Sequence, residues 1–120
     1  MKEKAVKEMA LKDIVVDAVL DKKAHEVLVL DLRDLDESIC DYFVVCHGES
    51  TTQVSGIADS VYKSVKEQKG LTPRGADGKE NANWIVLDYF DIVVHVFHRE
   101  AREYYQLEEL WSDAIITEHE

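Results

Sequence analysis

Apolar positions change their period along this chain, and the changes mark out its elements. Leu11, Ile14, Val15 and Ala18 recur at i, i+3, i+4 and i+7, one face of a helix predicted from about Glu3 to Lys23. Val27 to Leu30 and Tyr42 to Cys46 are instead continuous apolar runs of strand length, as interior strands covered on both sides require. A polar turn around Asp34 to Ser38 joins them. Ser50-Thr51-Thr52-Gln53 has the form of a capping box, and Val54, Ile57, Ala58, Val61, Tyr62 and Val65 follow at helical spacing. Lys63, Lys66 and Lys69 suit the C-terminal end of that helix, and Gly70 supplies the stop.

Pro73, Gly75, Gly78, Asn81 and Asn83 break the next stretch into turns, with a short edge strand near Arg74 to Asp77. Two β-type runs come next, Trp84–Tyr89 and Ile92–Phe97. Only Phe90 and Asp91 separate them, too little for a crossover, so the pair reads as an antiparallel hairpin. A final helix starts near Arg99 or Glu100, with Leu107, Leu110, Trp111 and Ala114 at helical spacing, and the acidic tail after Ile116 is expected to fray. The order αββα(β)ββα describes an α/β fold: one mixed sheet with helices packed on it. At 120 residues, without linker or repeat, the chain reads as a single domain over 1–120, ordered over about 3–116.

Alternation in the first hairpin strand separates two faces. Ile85, Leu87 and Tyr89 form the set a helix-covered core requires, whereas Trp84, Val86 and Asp88 share the other side. An unpaired carboxylate is costly to bury. One face of the sheet is therefore expected to stay partly open, with Trp84 and Asp88 displayed on it as a binding surface.

Charge narrows the choice of partner. With 14 Lys+Arg against 25 Asp+Glu the formal net charge is −11, which repels nucleic acid and favours a basic protein. The longest apolar runs are four or five residues, too short for a membrane span, and Met1 to Glu8 lacks the character of a signal or transit peptide. The expectation is a cytoplasmic bacterial protein with little direct nucleic-acid binding and no membrane association.

Enzyme and metal motifs fail on inspection. Gly78-Lys79 lacks the remainder of a phosphate loop, since Glu80 follows the lysine and Pro73 stands at the other end. His95 and His98, three apart on a strand, point to opposite faces, so His95 reads as structural. Asp34-Leu35-Asp36 reads as a solvated turn, the stripe Asp13, Asp17 and Asp21 as a solvated helix face, and Cys46 as a buried reduced thiol with Cys40 unpaired nearby. No catalytic residue, metal or cofactor is expected.

Four segments carry a family resemblance: D-Y-F-V-V-C-H-G-E-S (Asp41–Ser50), V-S-G-I-A-D-S-V (Val54–Val61), W-I-V-L-D-Y-F-D-I-V-V-H-V-F (Trp84–Phe97) and E-A-R-E-Y-Y-Q-L-E-E-L-W (Glu100–Trp111). Together they resemble the ribosomal silencing factor, or Iojap, family. The likeness runs from the first helix to Trp111. Phe90 stands where the family usually has glycine, and Asp77-Gly78 where it more often has Glu-Gly.

The resemblance implies a protein that binds the large ribosomal subunit through its fourteenth protein, on the face that meets the small subunit. It blocks subunit joining and lowers translation when nutrients are scarce. It also implies a nucleotidyltransferase-like topology without the reaction: Gly48-Glu49-Ser50 echoes the enzymes' turn, but only Asp59 follows in the helix, with no paired aspartate. The residues expected to meet the partner are Trp84, Asp88, Tyr89, Phe90 and Asp91, with Asp77 and Glu108. One alternative is a degenerate nucleotidyltransferase-like protein holding a nucleotide near Gly48 and Ser50. A further alternative is a homodimer through the open face.

Overall fold

In the computed structural model, which describes residues 9–35 and 39–119, six strands form one mixed sheet. Helix α1 spans Leu11–Asp21, followed by β1 (His25–Asp31) and β2 (Tyr42–Gly48). Helix α2 covers Thr51–Lys69, and β3 (Gly75–Asp77), β4 (Trp84–Asp88) and β5 (Ile92–His98) come after it. Helices α3 (Arg99–Tyr105) and α4 (Leu107–Leu110) lead to β6 (Ile115–His119). The strand order is β3-β4-β5-β2-β1-β6. Only β2 and β5 run parallel; the other neighbours are antiparallel, including the β4–β5 hairpin.

The two faces follow the alternation of the strands. Val29, Val44, Cys46, Ile85, Leu87 and Val94 pack beneath α1 and α2, whose Ile14, Val15, Ile57 and Val61 are fully buried. Leu30, Phe43, Val45, Val93 and Phe97 face the other way, under Leu107 and Trp111 of the C-terminal segment. Both cysteines are buried free thiols.

Local chemistry explains the ends of α2. The Ser50 hydroxyl accepts from the Gln53 amide at 3.1 Å, and Gly70 closes the helix at φ +66°. The capping box is only half formed, because Gln53 Oε1 accepts from the Glu49 amide (2.7 Å) instead of from Ser50. Helix α1 stops at Asp21, short of Lys23, which sits at φ +60°. The stretch Glu3–Glu8 expected to begin it, and Asp36 of the acid pair, lie outside the described residues.

Two expectations about the C-terminus are corrected. The final helix is not continuous: Gln106 takes φ +46° and splits α3 from α4. The tail does not fray either. Ile115, Ile116 and Thr117, β-branched residues suited to a strand, pair antiparallel with β1 from Asp31↔Ile115 to Val27↔His119.

Candidate functional site

The β4–β5 hairpin carries the expected binding residues and turns through Phe90 and Asp91. Tyr89 N–H donates to the Ile92 carbonyl at 2.8 Å, closing a two-residue loop. Phe90 sits at φ +76°, in the left-handed region that tight hairpin turns normally give to glycine. Its ring is nonetheless 63% exposed and lies under the Arg74 guanidinium, 4.4 Å from centroid to Cζ. A phenylalanine held in a strained backbone with its ring in solvent is not explained by packing. Asp91, also exposed, has no hydrogen bond or ion pair to its carboxylate among the described residues, while its carbonyl accepts from the amides of Asp41 and Tyr42.

Trp84 opens β4 and is half-buried. Its indole stacks on Phe97 (centroids 4.8 Å, 27° between planes) and meets Tyr105 of α3 at 4.8 Å. The indole Nε1–H donates to Nδ1 of His95 at 3.1 Å. His95 is itself buried, edge-on to Phe43 at 4.6 Å, and burial pushes its pKa down to about 4. Its Nε2 has no hydrogen-bond partner among the described residues, an arrangement that costs about 1–3 kcal/mol for a buried donor.

Three of the expected contact residues are buried or engaged within the molecule. Tyr89 belongs to the helix-covered face and is buried, with its phenol pushed up to about 12 by that burial, so it offers no surface to a partner. Glu108 is tied to the buried Arg102, whose Nε lies 3.2 Å from Glu108 Oε2. Asp88 is partly exposed but engaged on both oxygens: Oδ2 accepts from Arg74 Nε (3.0 Å) and Oδ1 from the Phe90 amide (2.8 Å). It shapes the hairpin turn rather than standing free. The open face is narrower than expected as well, since α3, α4 and the following loop cover β5, β2 and β1 and leave the β4 side.

What remains exposed is a strip along one edge. Asp77 of β3, exposed, pairs with Val86, and Gly75 pairs with Asp88, so these residues share a side with Trp84. Tyr105 extends the strip onto α3, and the neighbouring Tyr104 is 81% exposed. Sequence periodicity did not single out Arg74 or Tyr105: each joins the site by a long-range contact. The strip thus combines one half-covered indole, one largely exposed phenyl ring at the turn and the carboxylates of Asp77 and Asp91.

A second polar cluster lies at the C-terminal ends of the parallel strands. His25, Glu26, His47, Arg99, Arg102 and Glu103 line a cleft of about 250 Å³ there. Its groups are engaged with one another. Arg102 Nη1 donates to the carbonyls of His25 (3.3 Å) and Glu26 (2.8 Å), where β1 is bulged, and Arg99 pairs with Glu49 at 3.4 Å. Ser50, the last residue of the Gly48-Glu49-Ser50 turn, is used as the helix cap. Among the described residues, no group of three or more His, Cys, Asp or Glu is placed to hold a metal ion.

The comparisons agree with the architecture and with the motif resemblance. A family model described as "Ribosomal silencing factor during starvation" matches residues 4–120. Ribosomal silencing factor RsfS of Halalkalibacterium halodurans is 43% identical over 110 residues, covering 92% of each chain. A crystal structure of a Chromobacterium violaceum protein superposes with TM-score 0.79 at 34% identity, over 87% of this chain and 88% of that one. More distantly, the mouse protein named mitochondrial assembly of ribosomal large subunit protein 1 is 28% identical over 102 residues, 83% of this chain and 44% of its own length. With a family model spanning nearly the whole sequence and a relative this close, the chain belongs to the ribosomal silencing factor family.

Proposed function

We propose that this protein is a cytoplasmic translational repressor that docks on the large ribosomal subunit through its fourteenth protein and keeps the small subunit from joining. The observation that carries the reading is the strip along β4, with the half-exposed Trp84 at its start, the exposed Asp77 opposite Val86, and the exposed Phe90 and Asp91 at the hairpin turn. An aromatic anchor bordered by carboxylates suits a basic protein surface. The net charge of −11 disfavours direct grip on ribosomal RNA, so a protein component is the natural handle. The family name and the mouse relative's name, which refers to the ribosomal large subunit, support the same target.

Repression then needs no bond-making. Occupancy at the subunit interface excludes the other subunit by volume, and the polar cleft beside β2 and β5 serves to hold the C-terminal segment. Among the described residues no helix is long and apolar enough to cross a membrane, in keeping with action on ribosomes in solution.

The test is co-sedimentation with isolated large subunits. Trp84→Ala should weaken binding by about 2 kcal/mol, or about 30-fold in Kd, with the fold verified by circular dichroism. Asp91→Lys should slow association at low salt without changing the melting temperature. Undiminished binding by Trp84→Ala would refute the site.

A further inference from the structure

The Trp84 indole is tied to the sheet by a single hydrogen bond, from its Nε1–H to Nδ1 of His95 at 3.1 Å. For Nδ1 to accept, the imidazole must be neutral with its proton on Nε2. Burial keeps the ring in that state, with its pKa lowered to about 4. The Nε2–H is then buried without a partner among the described residues. A phenyl ring at this position would fill the same space between Phe43 and Phe97 without stranding a donor. Histidine is therefore poor packing chemistry here, and what it contributes instead is an acceptor aimed at the half-exposed Trp84 indole.

We propose that His95 is a positioning residue of the docking surface, holding the Trp84 indole against Phe97 and Tyr105 so that its exposed part meets the partner in one pose. The inference rests on the docking role of Trp84 argued above. An indole already fixed loses less rotamer freedom on binding than one that swivels, and that difference appears as affinity. His95 itself stays under the aromatic layer and touches no partner.

His95→Phe removes the acceptor and relieves the stranded donor. It should keep or raise the melting temperature, shift the Trp84 indole N–H signal in a ¹⁵N–¹H spectrum, and weaken large-subunit binding about tenfold. The Trp84 signal is identified as the one lost in Trp84→Ala. His95→Asn, whose Oδ1 falls near the place of Nδ1, should recover most of the affinity. A His95→Phe protein that binds like the parent, or a loss that Asn does not rescue, overturns the proposal. If His95→Phe fails to fold, His95→Asn is compared with His95→Gln, which reaches toward the Nε2 place: tighter binding by Asn supports positioning, and equal binding overturns it. Trp84→Ala separates the two ideas. If it binds normally, the docking site itself is wrong and the positioning role falls with it; if it loses binding while His95→Phe does not, only the positioning role fails.

Discussion

Arg102 Nη1 lies 3.0 Å from Nδ1 of His47, and both side chains are buried. Arginine has donors and no acceptor, so the imidazole must offer a lone pair and remain neutral. Desolvation first, and the Arg102 charge second, hold the His47 pKa below its ordinary value of 6.5. Glu26 (3.9 Å from Nδ1) and Glu49 (3.5 Å from Nε2) pull the other way, and His25 stacks on the ring at 5.3 Å. A histidine depressed in the folded state leaves the unfolded chain holding the extra proton, so stability is full above 6.5 and declines as pH falls toward the folded value. His95, depressed to about 4, acts with the same sign. Thermal melts should therefore show a steady loss from pH 6.5 toward pH of about 4, and His47→Asn should make that loss smaller. A pH-independent melting temperature in this range would contradict the assignment.

Phe90→Gly separates backbone strain from recognition. Relief of the left-handed conformation is worth about 1–2 kcal/mol. Against it stand the greater freedom of glycine in the unfolded chain, about 0.5–1 kcal/mol, and the lost Arg74 contact, about 0.5–1 kcal/mol at an exposed site. The net change in stability should stay within about 1 kcal/mol of zero, while large-subunit binding weakens. Unchanged binding would remove Phe90 from the docking strip.

Gly78→Ala should be severe despite its distance from the core. At φ +86° an added Cβ would lie 1.9 Å from the Trp84 carbonyl oxygen, inside any allowed contact. The backbone at the start of β4 must shift, with an expected cost on the order of 2–3 kcal/mol. Denaturant unfolding checks the loss, and the Trp84 indole signal should move with it. A variant as stable as its parent would show that the loop is looser than the geometry indicates.

The hairpin was legible because its period is local. Alternation alone placed Ile85, Leu87 and Tyr89 on the buried face, and Trp84, Val86 and Asp88 on the other. The ends of α2 were legible for the same reason, since Ser50 and Gly70 act within a few residues. What stayed hidden depends on distant partners. Nothing near Asp88 announces that Arg74, fourteen residues earlier, takes its carboxylate. The docking of β6 depends on its pairing with β1, and Arg102 reaches the bulged carbonyls of His25 and Glu26, in each case more than seventy residues away. Tyr89 differs: alternation puts it on the helix-covered face, and the structure buries it there, away from a contact surface.

The parallel pairing of β2 with β5 joins Tyr42 to Ile92 and Gly48 to His98, a constant offset of fifty positions (92 − 42 and 98 − 48). Closing so long a loop is slow compared with zipping the hairpin alone. Yet Phe43, which abuts His95, is delivered only by that closure. A newly made chain would thus form the hairpin before the packing beneath the Trp84 indole is complete.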